Sequence, residues 1–107
     1  MNETLKTVRA LVRAGDARIS SHGYDELADD QIFVQDLIDG VGAARVIEDY
    51  PEFPKGPAIL VLQFDRNRQP IHVVWGIPKG HTSPAVVVTA YRPDPSRWSR
   101  DFLSRVP

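Results

Sequence analysis

One histidine of this sequence lies in a segment whose spacing predicts an open position on a β-strand. His72 occurs in QPIHVVWGI, where apolar residues recur at the period of a strand. This alternation places Ile71 and Trp75 on one face and His72 on the opposite, more open face. Gly76 on that second face leaves room for a ligand near the backbone. An imidazole there is suited to proton transfer, although a lone histidine is more often structural.

The other two histidines have weaker claims to chemistry. His22, in SSHGYDE, lies near an expected helix start, where backbone N–H groups favour an anion. Its structural alternative is a hydrogen bond to Ser21, Tyr24 or Asp25 that only fixes the turn. His81 lies in the loop PKGHTSP and is expected to be inert. No histidines have short metal-ligand spacing, so the sequence predicts no metal site and no cofactor.

The segment VVVTAYRPDPSRW carries a second group of residues suited to chemistry. Thr89 and Tyr91 share one strand face, and Tyr91 is suited to stacking on a base or to binding a phosphate through its hydroxyl. Arg92, and Arg97 after the turn, are suited to bidentate phosphate contacts. In the structural alternative Tyr91 packs under Trp98, and Arg92 pairs with a nearby carboxylate, that of Asp94 or Asp49.

Composition limits the classes of protein to consider. The chain has 107 residues, with 42% hydrophobic and 25% charged residues, which is typical of one globular domain over residues 1–107. Cysteine is absent, so disulfides, thiolate nucleophiles and cysteine-bound zinc are excluded. No apolar run approaches a membrane span, and the N-terminus lacks the pattern of a secretory signal. We therefore expect a cytoplasmic protein with no membrane partner.

The charges are unevenly distributed. The net charge of −1 argues against a strongly basic nucleic-acid binder, yet residues 1–65 hold 6 Lys+Arg and 12 Asp+Glu (−6) and residues 66–107 hold 7 and 2 (+5). This asymmetry favours an anion-attracting surface on one half, unless folding interleaves the charges. The carboxylates of YDELADD and EDYPE look like solvated surface, with Glu26 and Glu48 left open as acid–base candidates.

Helical spacing is confined to the N-terminal half and the C-terminus. The first helix, NETLKTVRALVRAG, has Asn2 as a cap and Gly15 at its end. The segment ARISSHGYDELADD opens with a short extended piece, after which Ser21 is expected to cap a helical turn, and Asp30 is expected to cap QIFVQDLIDG. Asp94 and Pro95 are expected to start a last helix, PSRWSRDFLSR, that packs back on the fold.

Four strands are predicted between these helices. They are ARVIEDYP, AILVLQFD, PIHVVWGI and AVVVTAYR, and the second is apolar enough to lie centrally. Short connections favour antiparallel neighbours. The expected fold class is therefore α+β, with short N-terminal helices packed on one face of a four-stranded antiparallel sheet.

The order of these segments resembles a known family. A Ser-His pair near the start of a helix, DLIDG followed by VIEDYP, then PIHVVWG and VTAYRPDPSRW, are similar to the small domain-of-unknown-function family numbered 4258. The resemblance covers about residues 17–100. It implies a fold similar to RelE-type and MqsR-type toxins, and genes that lie beside antitoxin-like genes, including some with a small zinc-finger domain.

The resemblance implies metal-independent RNA cleavage and assigns residues to it. Such cleavage activates the ribose 2′-OH, stabilises the charged phosphorane and protonates the leaving 5′-oxygen. The catalytic candidates that follow are His22, His72 and Tyr91. The RNA-binding candidates are Lys79, Thr89, Arg92 and Arg97.

Two hypotheses follow. In the first, the chain is a toxin-like ribonuclease of the mRNA interferase type, whose partners are RNA and an antitoxin protein, zinc-finger types included. In the second, the same fold is a non-catalytic protein-interaction module. The near-neutral charge and the acidic stretch GYDELADD, where many relatives have a basic helix, motivate the second hypothesis.

Overall fold

Three α-helices and five strands make up residues 2–107, the part of the chain that this computed structural model describes. The helices are α1 (Glu3–Arg13), α2 (Ser21–Asp29) and α3 (Val34–Gly40), the last followed by a 3-10 turn at Val41–Ala43. The strands are β1 (Ala17–Ile19), β2 (Arg45–Tyr50), β3 (Ala58–Phe64), β4 (Pro70–Gly76) and β5 (Ala85–Tyr91). None of the helices within residues 2–107 is long and apolar enough to cross a membrane.

The strands form one mixed sheet in the order β1-β5-β4-β3-β2. The four predicted strands are β2 to β5, and each is antiparallel to its neighbour. The prediction of a purely antiparallel, four-stranded sheet is wrong, because β1 adds a fifth strand that pairs in parallel with β5, Ala17 opposite Ala85. This strand has three residues, which is too short for an alternation pattern to identify it.

Local capping explains where α1 and α2 begin and end. The Asn2 side chain accepts a hydrogen bond from the backbone N–H of Leu5, and Gly15 follows α1 with φ +76°, as predicted. The cap of α2 is Ser20 rather than Ser21. The Ser20 hydroxyl accepts from the N–H of Gly23 at 2.9 Å and donates to a carbonyl of β5 at 2.8 Å. This pair of bonds fixes α2 against β5.

The predicted N-cap role of Asp30 is wrong. The helix α3 begins at Val34, with Phe33 before it and no side-chain cap. Asp30 instead ends α2, and its carboxylate accepts a hydrogen bond from the backbone N–H of Arg92 at 2.7 Å. The carboxylate therefore joins the end of α2 to the end of β5.

The three helices cover one face of the sheet, as predicted. Ile71, Val73 and Trp75 of β4 point to this helix face and are fully buried. One polar side chain lies among them. Gln63 donates to the backbone carbonyl of Leu37 and accepts from the Trp75 indole N–H at 2.8 Å. Its amide is therefore satisfied at both ends, as a buried polar group requires.

The predicted last helix is absent. The Asp94 carboxylate accepts hydrogen bonds from the N–H and hydroxyl of Ser96, which closes a turn instead of capping a helix. Residues 97–106 then fold back on themselves, with an antiparallel bridge between Trp98 and Arg105. We call residues 97–106 the C-terminal hairpin. It packs on the face of the sheet opposite the helices, which we call the outer face.

Candidate active site

His72 lies on the outer face, as the alternation predicts, but it is not open to solvent. Its side chain is 0% exposed. The Nε2 atom lies 2.8 Å from the backbone carbonyl oxygen of Phe102, and Nδ1 lies 3.2 Å from the Tyr91 hydroxyl. A carbonyl only accepts, so Nε2 carries the proton and Nδ1 accepts from Tyr91. The prediction of an open His72 is wrong because the C-terminal hairpin covers it.

Aromatic rings complete the enclosure of His72. The Trp98 ring meets the imidazole edge-on at a centroid distance of 4.3 Å, and the Tyr91 ring does so at 5.3 Å. Burial lowers the pKa of His72, and the nearby positive charge of Arg105 lowers it further, while the hydrogen bond to Phe102 opposes both. A neutral, enclosed imidazole positions the Tyr91 hydroxyl and does not itself meet a substrate.

A carboxylate with two partners lies beside this histidine. The Tyr50 hydroxyl donates to Glu48 Oε2 at 2.6 Å, and Arg105 Nη2 lies 2.7 Å from Glu48 Oε1. The Arg105 guanidinium also lies over the Trp98 ring, 5.0 Å from its centroid. Burial, with the hydrogen bond and charge of Glu48, raises the pKa of Tyr50 to about 12. Tyr50 is therefore a protonated donor at neutral pH.

The strand register places all of these groups on one face of the sheet, with β3 between Glu48 and His72. Glu48 lies opposite Leu60, while Leu62 lies opposite His72 and His72 opposite Tyr91, all on the outer face. A bulge between Val46 and Glu48 turns both Glu48 and Tyr50 to this face.

The C-terminal hairpin joins the two groups into one cluster, because Arg105 pairs with Glu48 and lies over the Trp98 ring that meets His72. Burial raises the pKa of Tyr91, and the charges of Arg105 and Glu48 act on the same phenol in opposite directions. We call the five residues Glu48, Tyr50, His72, Tyr91 and Arg105 the outer-face cluster. Glu48 and Arg105 are partly exposed, with side-chain exposures of 36% and 57%, so the cluster is accessible to a ligand from the side of β2.

Three further predicted residues lie outside the cluster but on the same side of the sheet. Thr89 is on the outer face, opposite Val74 of β4. Arg97 is exposed in the C-terminal hairpin, 3.9 Å from Asp94, and lines an open groove with Trp98 and Arg105. Lys79 lies in the exposed loop after β4, at the other end of the outer face.

The structure does not bring His22 and Arg92 to the cluster. His22 is an exposed residue of α2, 3.6 Å from Glu26, on the helix side of the sheet. Arg92 points away from the outer face. Its guanidinium lies 2.9 Å from the Asp65 carboxylate and 3.4 Å from the carbonyl oxygen of Pro70. The expected partners of Arg92 were Asp94 or Asp49, and both are wrong. The pairing of His22 with His72 for acid–base chemistry is lost with this placement.

Sequence reasoning missed two members of the cluster, Tyr50 and Arg105, and left Glu48 open. The signal for Glu48 and Tyr50 was their spacing of two within a predicted strand, which gives them one face. Nothing in the sequence pattern identified Arg105, because its position depends on the C-terminal hairpin, which the periodicity assigned to a helix.

The outer-face cluster has the groups needed to handle a phosphate diester. A carboxylate accepts protons, a guanidinium binds an anion, and the Tyr50 phenol, whose pKa is raised, is a proton donor. Within residues 2–107, no three or more His, Asp or Glu side chains are grouped so as to hold a metal ion.

Comparison with known proteins identifies a family but no characterised relative. No curated protein and no solved structure gave a significant match. The profile of the family described as "Domain of unknown function (DUF4258)" matches residues 19–92, from the end of β1 through β5. This range holds Glu48, Tyr50, His72 and Tyr91 of the cluster, and more than half of the chain. The chain therefore belongs to the DUF4258 family.

Proposed function

We propose that this chain is a metal-independent ribonuclease of the mRNA interferase type and the toxin of a cytoplasmic toxin–antitoxin pair. The observation that carries the proposal is the Glu48 carboxylate, held between the Tyr50 hydroxyl at 2.6 Å and the Arg105 guanidinium at 2.7 Å. Helices that precede four antiparallel strands also support the proposed likeness to RelE-type and MqsR-type toxins.

Glu48 and Tyr50 supply the proton transfers of this reaction. Glu48 takes the proton of the ribose 2′-OH, and the 2′-oxygen attacks the adjacent phosphorus. The bond from phosphorus to the 5′-oxygen breaks, and that oxygen receives its proton from Tyr50. Protonated Glu48 then returns a proton to Tyr50 along their 2.6 Å hydrogen bond. The products are a 2′,3′-cyclic phosphate and a 5′-hydroxyl, and the protein ends unchanged.

The other members of the cluster bind and orient the RNA. Arg105 uses one nitrogen on Glu48, which leaves guanidinium donors for the charge that develops on the phosphorane. His72 fixes the Tyr91 hydroxyl, whose oxygen then accepts a hydrogen bond from a ribose hydroxyl. His72 and Tyr91 are positioning residues in this scheme, and His22 has no part in it.

Outside the cluster, the remaining predicted residues that face solvent bind the RNA. Arg97 in the C-terminal hairpin and Lys79 beyond β4 contact backbone phosphates on either side, and Thr89 lies between them on the outer face. The positive charge of residues 66–107 favours this orientation. The acidic residues of the helical half remain for solvent or for a basic segment of the antitoxin, which the resemblance implies is of the zinc-finger type.

The test compares two glutamate substitutions on opposite faces. Glu48→Gln keeps an acceptor for Tyr50 but removes the base, so cleavage of a labelled RNA, read as 2′,3′-cyclic phosphate ends, falls on the order of 100-fold or more. Glu26→Gln on α2 makes the same change on the helix side and leaves the rate unchanged.

Induced expression of the wild type in a bacterial host, with RNA integrity followed over time, provides the cellular test. Growth arrest with RNA cleavage is expected for the wild type and its relief for Glu48→Gln. A wild type that neither cleaves RNA nor arrests growth, with or without its partner, overturns the proposal. His72→Ala is less informative, because removing a fully buried imidazole destabilises the fold and lowers activity whether or not His72 takes part in the reaction.

A second candidate function is the non-catalytic interaction module. The observation that favours it is that both ring nitrogens of His72 and both oxygens of Glu48 already have partners within the chain. Such a closed network also serves a purely structural purpose. Recovery of a stable protein partner by a protein that shows no nuclease activity would decide for this function.

A further inference from the structure

An apolar cavity of about 200 Å³ opens on the outer face next to the cluster. Its floor is formed by Ala58 of β3 and Gly76 of β4, and its walls include Val86, Val88 and the ring of Phe53. The proposed chemistry uses none of these residues. Phe53, in the loop that follows β2, is 40% exposed, so its ring is accessible to a ligand at the edge of this cavity.

The cavity is maintained by backbone geometry. Gly56 has φ +122°, and a Cβ there would lie 2.0 Å from the carbonyl oxygen of Ile77, so the loop approaches β4 as closely as it does only with glycine. A Cβ on Gly76 would lie 3.3 Å from the carbonyl of Pro57 and 3.4 Å from the Val88 side chain. The small residues of the floor therefore keep open a space that larger side chains would fill.

The cavity is close to the proposed catalytic groups. Tyr50 is the cross-strand partner of Ala58, and both face the outer side of the sheet. Glu48 lies two residues from Tyr50 along β2, which is about 7 Å at the rise of a strand. The cavity begins one strand further on, at Ala58, so a short single strand of RNA that reaches Glu48 can extend into it.

We propose that this cavity binds the base of one unpaired nucleotide next to the scissile phosphate, which makes single-stranded RNA the substrate class. The inference rests on the proposed ribonuclease function. Phe53 stacks on the base, as aromatic side chains do in single-strand binders. Lys55 lines the cavity, and the backbone N–H of Lys79 donates to the backbone carbonyl of Lys55 at 2.9 Å, so a second lysine of the neighbouring loop is adjacent to Lys55 at an otherwise apolar opening.

These rim charges distinguish a nucleotide from the apolar side chain of a protein partner. An apolar anchor gains nothing from two ammonium groups, whereas a nucleotide presents an apolar ring face and an anionic backbone together. A duplex cannot place a stacked base in the cavity, because the base would first have to leave its pair.

The experiment combines a substitution in the protein with the removal of one base from the RNA, each alone and both together. Phe53→Ala should lower kcat/KM on a short single-stranded RNA on the order of tenfold. An abasic site is moved along that RNA one position at a time. At one position next to the cleaved bond it should lower the wild-type rate by a similar factor, and there Phe53→Ala should cause no further loss.

Phe33→Ala is the matched control. Phe33 is an aromatic residue exposed to 64%, but it lies before α3, away from the outer face. This variant should cleave as the wild type does. The inference is overturned if Phe53→Ala cleaves at the wild-type rate, if the two losses multiply at every position, or if duplex RNA is cleaved as well as single strands. In each of these cases the ribonuclease function stands.

A binding assay covers the case in which no cleavage is seen. Fluorescence anisotropy with the Glu48→Gln protein measures the affinity for a labelled single-stranded RNA. Weaker binding by the double variant that adds Phe53→Ala supports the cavity even if the reaction fails. Equal binding, or no RNA binding by either protein, overturns it.

Discussion

The two faces of this sheet are built from the same strands but differ in the polar side chains that they carry. On the helix face, Val61, Ile71, Val73 and Trp75 are fully buried, and the polar Gln63 is fully hydrogen-bonded. The outer face carries the titratable side chains of the cluster, and several of these are partly exposed. Alternation along each strand thus separates the residues that hold the fold together from those available for chemistry.

The covers of the two faces also differ. The helix face is closed by α1, α2 and α3, whose apolar residues join the core. The outer face is covered at the His72 end by the C-terminal hairpin. Trp98 and Arg105 of this hairpin lie beyond residues 19–92, the range that the family profile matches. Substitutions on the helix face are therefore expected to reduce the free energy of unfolding more than substitutions on the outer face, whose cover depends on fewer contacts.

The largest expected effect is on the helix face. Trp75→Ala removes a fully buried ring and leaves the Gln63 carbonyl without its donor, so the free energy of unfolding falls by about 3–5 kcal/mol. Urea denaturation followed by circular dichroism measures this loss. A loss below about 1 kcal/mol would contradict the proposed difference between the two faces, since the helix face would then not be the main source of stability.

Sequence pattern predicted the elements that alternate or are continuously apolar. AILVL was expected to lie centrally, and β3 does lie between two strands, buried nearly throughout. The pattern failed for β1 and for the C-terminal hairpin. The partner of Ala17 is Ala85, far along the chain, and the hairpin exists because Trp98 packs on His72. Tertiary contacts of this kind leave no local periodicity.

The same limit applies to the candidate site. Period-two alternation correctly gave the face of His72, Thr89 and Tyr91, because side-chain direction is a local property of a strand. Burial of His72 was not foreseen, since its cover comes from a segment distant in sequence. Arg92 was misplaced for a similar reason, because its carboxylate partner Asp65 lies at the end of β3.

A smaller effect is expected when the cover of the outer face is weakened. Trp98→Ala opens the site around His72, and the pKa of that imidazole should rise toward its ordinary value of about 6.5, because burial is the main cause that lowers it. Histidine ring signals followed by NMR across a pH titration measure the shift. The backbone signals of α2, on the helix side, should be unaffected and serve as the internal control.

The sign of the stability effect follows from the same pKa. The folded-state pKa of His72 is lowered, so its contribution to stability is complete above about pH 6.5 and is lost as the pH falls through the folded value. Wild-type protein should therefore lose stability on acidification more steeply than Trp98→Ala. Equal His72 titrations in the two proteins would show that the hairpin does not control access to the outer face.

The smallest effect is expected within the cluster, at the Tyr50–Glu48 hydrogen bond. Absorbance near 295 nm reports tyrosinate, and the wild type should show one phenol with a pKa of about 12. Glu48→Gln removes the charge that helps to raise this pKa, so the titration should move toward the ordinary value of about 10. Tyr50→Phe should remove the transition altogether, which assigns it.

The raised pKa of Tyr50 also determines how its contribution to stability depends on pH. Since the folded pKa of Tyr50 lies above that of the unfolded chain, its contribution is complete below about pH 10 and is lost as the pH rises toward about 12. The two faces then respond to different variables. The helix face responds to the volume of its buried side chains, and the outer face responds to pH at both ends of the scale. An unchanged phenol titration in Glu48→Gln would separate Tyr50 from Glu48 and remove the proton path on which the proposed reaction depends.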